Sequence, residues 1–95
     1  MIKFTIQHIK DFKHSKQKFS AITAYDYTSA QVINEAQVPL ILVGDSASMM
    51  VYGYDTTIPI SMDEILLLVK SVTRGAKNSL VVADMPFLSY QPSLE

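Results

Sequence analysis

Leu40-Ile41-Leu42-Val43-Gly44-Asp45 and Leu80-Val81-Val82-Ala83-Asp84 share one design, an apolar run that delivers an aspartate at its C-terminal end. The first is the core of a longer run, Val38 to Val43, that is apolar at every position. Unbroken apolar character, rather than alternation, is expected of a parallel strand buried on both faces. Pro39 is tolerated at the second residue of that run, where no ladder bond need be lost. Phe19 to Ala24 reads as a further short strand.

Working outward, each strand alternates with a helical pattern. Asp26 or Thr28 can cap a helix through about Ala36, turning Ala30, Ile33 and Ala36 or Val32 inward. Gly44 to Ile60 is a polar, glycine-containing loop. Ser61-Met62-Asp63-Glu64 is a capping box, flanked by Ile60 and Ile65 at the spacing of a hydrophobic staple. Its helix runs to about Arg74, with Gly75 as the expected left-handed stop. Upstream, Thr5 can cap a helix to about His14, with Ile6, Ile9 and Phe12 on its inner side. The order is helix, then strand-helix-strand-helix-strand, which implies parallel strands joined by crossover helices. Both a doubly wound sheet and a (β/α)8 barrel are built this way, and the pattern does not choose between them.

Composition narrows the function. With 95 residues, 48% hydrophobic and 18% charged, the chain has the make-up of a single globular domain. Its apolar runs fall far short of the ~20 residues of a membrane helix, and the N-terminus has no continuous apolar segment of a secretory signal. Zero cysteines exclude disulfides, thiolate metal sites and cysteine nucleophiles, and are compatible with a reducing cytoplasm. Lys3, Lys10, Lys13, Lys16 and Lys18 make the N-terminus basic. They are interleaved with apolar residues at helical spacing and include no arginine, so they read as a solvated helix face, not a nucleic-acid arm. From residue 19 to 66 the sign reverses, with Asp26, Glu35, Asp45, Asp55, Asp63 and Glu64 and no base.

In parallel α/β architectures, ligands gather at the C-terminal ends of the strands, where Asp45 and Asp84 stand. If their strands are neighbours, ~4.8 Å apart, the two carboxylates converge on one rim. Two anionic oxygen groups there suit a hard cation such as Mg2+. The competing reading is that each aspartate orders the turn after its strand. Ser46 can bind a substrate anion or stabilise the same turn. His8 and His14, six residues apart on the first helix, do not share a face and make no zinc site. The methionines read as packing residues. One of Tyr25 and Tyr27, just past the first strand, can face the rim. Gly44 and Gly53 do not form a phosphate-binding fingerprint.

At these residues the sequence resembles the ketopantoate hydroxymethyltransferase family. The matching stretches are Ile22-Thr23-Ala24-Tyr25-Asp26-Tyr27, Leu42-Val43-Gly44-Asp45-Ser46, Gly53-Tyr54-Asp55-Thr56-Thr57-Ile58-Pro59, Arg74-Gly75-Ala76, and Val82 to Phe87 with Ser89-Tyr90-Gln91. They run in the family order and spacing across nearly the whole chain. The departure is Ala47-Ser48, where the family usually has a larger aliphatic residue and a glycine. The Gly53 to Pro59 and Ala83 to Phe87 segments favour this family over the phosphoenolpyruvate mutase and isocitrate lyase barrels.

The resemblance implies that residues 1–95 are the N-terminal portion, about three strands, of one (β/α)8 barrel domain. It implies a cytoplasmic homo-oligomer, usually a decamer, acting in pantothenate synthesis on small molecules, with neither nucleic acid nor membrane as partner. The reaction moves a hydroxymethyl group from 5,10-methylenetetrahydrofolate to the 2-oxo acid 3-methyl-2-oxobutanoate, giving 2-dehydropantoate. Asp45 and Asp84 match Mg2+ ligands that also lie against the keto acid, and Ser46 matches a substrate-binding position. The family's substrate lysine, a further acidic metal-site residue and the glutamate that takes the C3 proton lie beyond residue 95, so no catalytic base is expected within this chain. The residues from Tyr90 to Glu95 look like the approach to another helix, and three parallel strands leave open edges. The chain is therefore expected to be the front of a larger domain, or else a non-catalytic truncated module, and to be inactive and only marginally folded alone.

Overall fold

The computed structural model describes residues 2–84. The elements are α1 (Ile6–His14), β1 (Ala21–Thr23), α2 (Tyr27–Glu35), β2 (Leu40–Val43), α3 (Ala47–Met50), α4 (Met62–Gly75) and β3 (Leu80–Ala83). The three strands form one parallel sheet in the order β1-β2-β3. Ile22, Ile41 and Val81 lie in one row of that sheet, and Thr23, Leu42 and Val82 in the next. This is the α/β, parallel-strand arrangement expected of the first three strands of a (β/α)8 barrel. The segment from Met85 to Glu95, including the helix approach read at Tyr90 to Glu95, lies outside the described residues.

The helices cover one face of the sheet. Alternate residues of a strand point to opposite faces, and Ile41 and Val43 are fully buried in a cluster with Ala30, Ile65, Leu68 and Val72. The other positions of β2, Leu40 and Leu42, are only half-buried, and in the same rows Ala21, Thr23 and Val82 are exposed. The expectation of a strand buried on both faces therefore holds for one face only. The strand also begins at Leu40, because Pro39 contributes only a carbonyl, which accepts from the Leu80 amide at 2.8 Å.

Helix α4 starts as its sequence requires. Glu64 N–H donates to Ser61 Oγ at 3.2 Å, and Ser61 N–H donates to Glu64 Oε1 at 3.0 Å. Ile60 and Ile65 are both buried on either side of the cap. Ile65, Leu68, Val72 and Gly75 then form the buried stripe. Its last member departs from expectation: Gly75 is helical, not a left-handed stop. A Cβ there would lie 2.5 Å from the Tyr27 carbonyl oxygen and 3.0 Å from Ala30 Cβ, so this glycine allows α2 and α4 to touch backbone to backbone. The left-handed stops are Lys16 (φ 57°) and Gln37 (φ 59°). Each follows a C-cap in a Schellman motif, with Gln17 N–H donating to Phe12 O and Val38 N–H to Ile33 O.

Helix α1 contains no buried residue, and Ile6 is exposed rather than inward. What it offers instead is aromatic: Phe12 stacks on Phe19 with centroids 5.2 Å apart, and Phe4 lies 6.5 Å from Phe12. Phe19 belongs to this row and not to β1. Phe4 N–H donates to Asn78 O, which ties α1 to the turn before β3. In that turn Asn34 Oδ1 accepts from the Asn78 and Ser79 amides at 2.8 and 3.1 Å, and the Ser79 hydroxyl donates to Val38 O at 2.6 Å. These bonds fix where β3 enters the sheet, and so where it leaves.

Two substitutions separate the two kinds of helix end. Gly75→Ala must push α2 away and is expected to cost ~1–3 kcal/mol. Gln37→Gly relieves a left-handed side chain and is expected to stabilise by ~0.5–1 kcal/mol. Urea unfolding midpoints check both, and a neutral Gly75→Ala would contradict the close helix contact.

Candidate functional site at the C-terminal end of the sheet

The ladder continues one residue past the strands at this end. Asp84 N–H donates to Val43 O at 3.0 Å, and Ala24 N–H to Leu42 O at 3.3 Å. Extended by the same register, Tyr25, Gly44 and Asp84 fall side by side on the three strands. The sequence-predicted residues Asp45 and Ser46 follow directly in the turn into α3. The structure thus brings Asp45, Ser46 and Asp84 to one end of the sheet, with Tyr25 beside them.

Gly44 is the middle of this arrangement. A Cβ on it would lie 2.8 Å from Asp84 Oδ2, 3.7 Å from Asp84 Cγ and 3.9 Å from Ser46 Oγ. The Asp84 carboxylate therefore occupies the space that any other residue at position 44 would fill, with the Ser46 hydroxyl flanking the same point. Ser46 Oγ meets the Tyr25 hydroxyl at 2.5 Å. The Tyr25 ring, half-buried, packs against the core cluster.

The turn-ordering readings fare poorly here. Ser46 stands at the N-cap of α3 but makes no side-chain cap bond. The turn is held by backbone, with Ala47 N–H donating to Gly44 O and Ser48 N–H to Asp45 O. Neither the Asp45 nor the Asp84 carboxylate takes a hydrogen bond or ion pair among the described residues. Asp45 is half-buried and Asp84 exposed. Two carboxylates and a hydroxyl form an oxygen-only donor set that fits a hard cation, which takes one or two carboxylates and fills its other positions with water or substrate. No group of three His, Cys, Asp or Glu occurs among the described residues, so a metal cage made wholly from them is not what this end of the sheet offers.

The loop expected from Gly44 to Ile60 contains the short helix α3, which sequence reasoning missed. Ala47 and Ser48, where the chain departs from the family pattern, are its first residues and are both fully buried. The Ser48 hydroxyl donates to Thr56 O at 2.8 Å, a bond that a glycine cannot make, and it folds the following loop back over α3. A cleft of about 530 Å³ lies near the entry of β3, lined by Lys3, Arg74, Lys77 and Leu80 among others. It is open and cationic, and it holds none of the acids. Chemistry, not volume, marks the acidic end as the candidate site.

In a parallel α/β sheet, the C-terminal ends of the strands, where these acidic and hydroxyl side chains stand, are the end at which ligands gather. A family model described as ketopantoate hydroxymethyltransferase matches residues 3–95, and the chain belongs to that family. Curated relatives include the 3-methyl-2-oxobutanoate hydroxymethyltransferase of Mycobacterium leprae (strain TN), 53% identical over 90 residues, covering 95% of this chain and 32% of the relative. That of Frankia casuarinae is 54% identical over 89 residues, covering 94% and 30%. That of Mycobacterium tuberculosis (strain ATCC 25618 / H37Rv) is 52% identical over 89 residues, covering 94% and 32%. The chain spans about a third of the length of these relatives. Among the described residues no helix is long and apolar enough to cross a membrane.

Gly44→Ala tests the geometry at little cost to the fold. The clash is with the end of a side chain, which can rotate away, so stability should change by less than ~1 kcal/mol. The carboxyl carbon resonance of Asp84 should shift, because the group must leave its place above residue 44. An unchanged resonance would contradict the packing described.

Proposed function

We propose that this chain supplies the metal-and-keto-acid corner of a hydroxymethyltransferase that makes 2-dehydropantoate from 3-methyl-2-oxobutanoate and 5,10-methylenetetrahydrofolate. The observation that carries the reading is the Asp84 carboxylate lying over Gly44, next to Asp45-Ser46 and without a hydrogen-bond or ion-pair partner among the described residues. Membership of the family and the printed names of the relatives support it. The sheet face left bare by the helices is then the inner face of a (β/α)8 barrel, which further strands close. A cytoplasmic homo-oligomer belongs to the same reading.

Asp45 and Asp84 would hold Mg2+, and bound there the ion supplies Lewis acidity that makes the C3 proton of the 2-oxo acid easier to remove. The remaining work of these residues is binding and orientation. Ser46 donates its hydroxyl proton to the carboxylate of the keto acid, which fixes the carbon chain relative to the rim. Asp45 and Asp84 repel that carboxylate unless a cation lies between, so keto acid and metal are expected to bind together. Gly44 leaves room for Asp84 beside both. Abstraction of the C3 proton belongs, by family resemblance, to a glutamate outside these 95 residues, and the chain alone is expected to show no turnover.

The experiment replaces the matched segment of the Mycobacterium tuberculosis relative with residues 3–95 of this chain. The chimaera should form 2-dehydropantoate in the presence of Mg2+. Asp84→Asn should raise the Mg2+ concentration needed for half-maximal rate by at least ~10-fold, since even residues that only orient ligands cost that much. Full activity at unchanged Mg2+ demand in Asp84→Asn would sink the metal assignment.

A further inference from the structure

A serine at an N-cap ordinarily gives its oxygen to a backbone N–H two or three residues on. Ser46 precedes α3 with helical rather than extended backbone (φ -58°, ψ -17°), and its side chain makes no cap bond. Its hydroxyl meets that of Tyr25, on the neighbouring strand end, instead. The tyrosine is a firm anchor, since its ring packs against the buried cluster while only its oxygen reaches the turn. Tyr27, two residues on, points elsewhere: its hydroxyl accepts from Gln31 Nε2 at 2.9 Å on exposed α2.

Two hydroxyls carry two protons, and the bond between them uses one. Whichever oxygen donates, a second proton remains for a third partner. Ser46 Oγ flanks the point above Gly44 from which Asp84 Oδ2 is 2.8 Å away, so the pair borders the same ground as the carboxylate. A single directed proton next to a cation-ready carboxylate suits the carboxylate of a small 2-oxo acid.

We propose that Tyr25 is a positioning residue for keto-acid binding: its hydroxyl fixes the rotamer of the Ser46 hydroxyl and directs the pair's remaining proton to the substrate carboxylate. The inference rests on the assignment of Ser46 to the keto acid made above. It has a specific consequence. With the phenol oxygen gone, the Ser46 hydroxyl turns freely among its rotamers, and the substrate contact loses its fixed direction. Binding weakens while the fold is untouched.

The test uses the chimaera carrying residues 3–95, with Tyr25→Phe, Ser46→Ala, the double variant and Tyr27→Phe. Tyr25→Phe should raise KM for 3-methyl-2-oxobutanoate about fivefold to tenfold, the size of one misdirected hydrogen bond to a charge. Its kcat and its KM for the folate should stay within about twofold of the parent. The double variant should be no worse than Ser46→Ala, because the tyrosine acts only through the serine. Tyr27→Phe should match the parent. If Ser46→Ala raises the keto-acid KM and Tyr25→Phe does not, or if the two effects multiply, the proposal is overturned while the serine assignment stands. If Ser46→Ala leaves that KM unchanged, the serine assignment fails and this proposal with it.

Discussion

The double pairing of β2 is the constraint from which the rest follows. With β1 on one side and β3 on the other, its register sets which residues share a row, and the ladder runs on until Asp84 N–H reaches Val43 O. The next row is Tyr25, Gly44 and Asp84. A one-residue shift of β3 along β2 would turn Asp84 to the face that carries Ile41 and Val43, and in one direction would set it beside Val43, whose side chain fills the core. The core that holds the sheet lies away from this end, where α2 and α4 pack on Ile41 and Val43.

Precision at the rim is set at the far end of β3. Asn34 clamps the Asn78 and Ser79 amides, and the Ser79 hydroxyl holds Val38 O, so the strand enters at a fixed height and cannot slide. Gly75 lets α4 meet α2 backbone to backbone at Tyr27 and Ala30, on the helix that carries Asn34. Two glycines thus act through absence of a side chain at opposite ends of the fold: one admits a helix, the other a carboxylate.

Much of this was legible in the residues. Apolar runs ending in aspartate announced parallel strands and a polar C-terminal rim, and the strand Leu80 to Ala83 and the Ser61 capping box stand where the pattern puts them. Helix ends were less legible. Gly75 carried the usual stop signal, but a glycine needed for close packing looks the same in sequence, whereas Lys16 and Gln37 take left-handed backbone without any such signal. Helix α3 escaped because four residues are too few to show a period. The bare sheet face explains why an apolar β2 was read as buried on both sides: the residues are those of a buried strand, and the described chain covers one side. At the site, Asp45, Ser46 and Asp84 followed from strand ends and resemblance, but the choice between Tyr25 and Tyr27 needed register, which spacing alone does not give.

If Asp45 and Asp84 hold a cation, it binds at the C-terminal end of the sheet. Mn2+ occupies oxygen sites suited to Mg2+ and broadens nearby resonances, so adding it to the 15N-labelled chain locates the site directly. The account predicts loss of the Gly44, Asp45, Ser46 and Asp84 amide signals at low Mn2+, reversed by excess Mg2+, with Lys3, Lys77 and Asn78 at the other end unaffected. Broadening centred on Asp63 and Glu64, or spread evenly over the acidic residues, would contradict it.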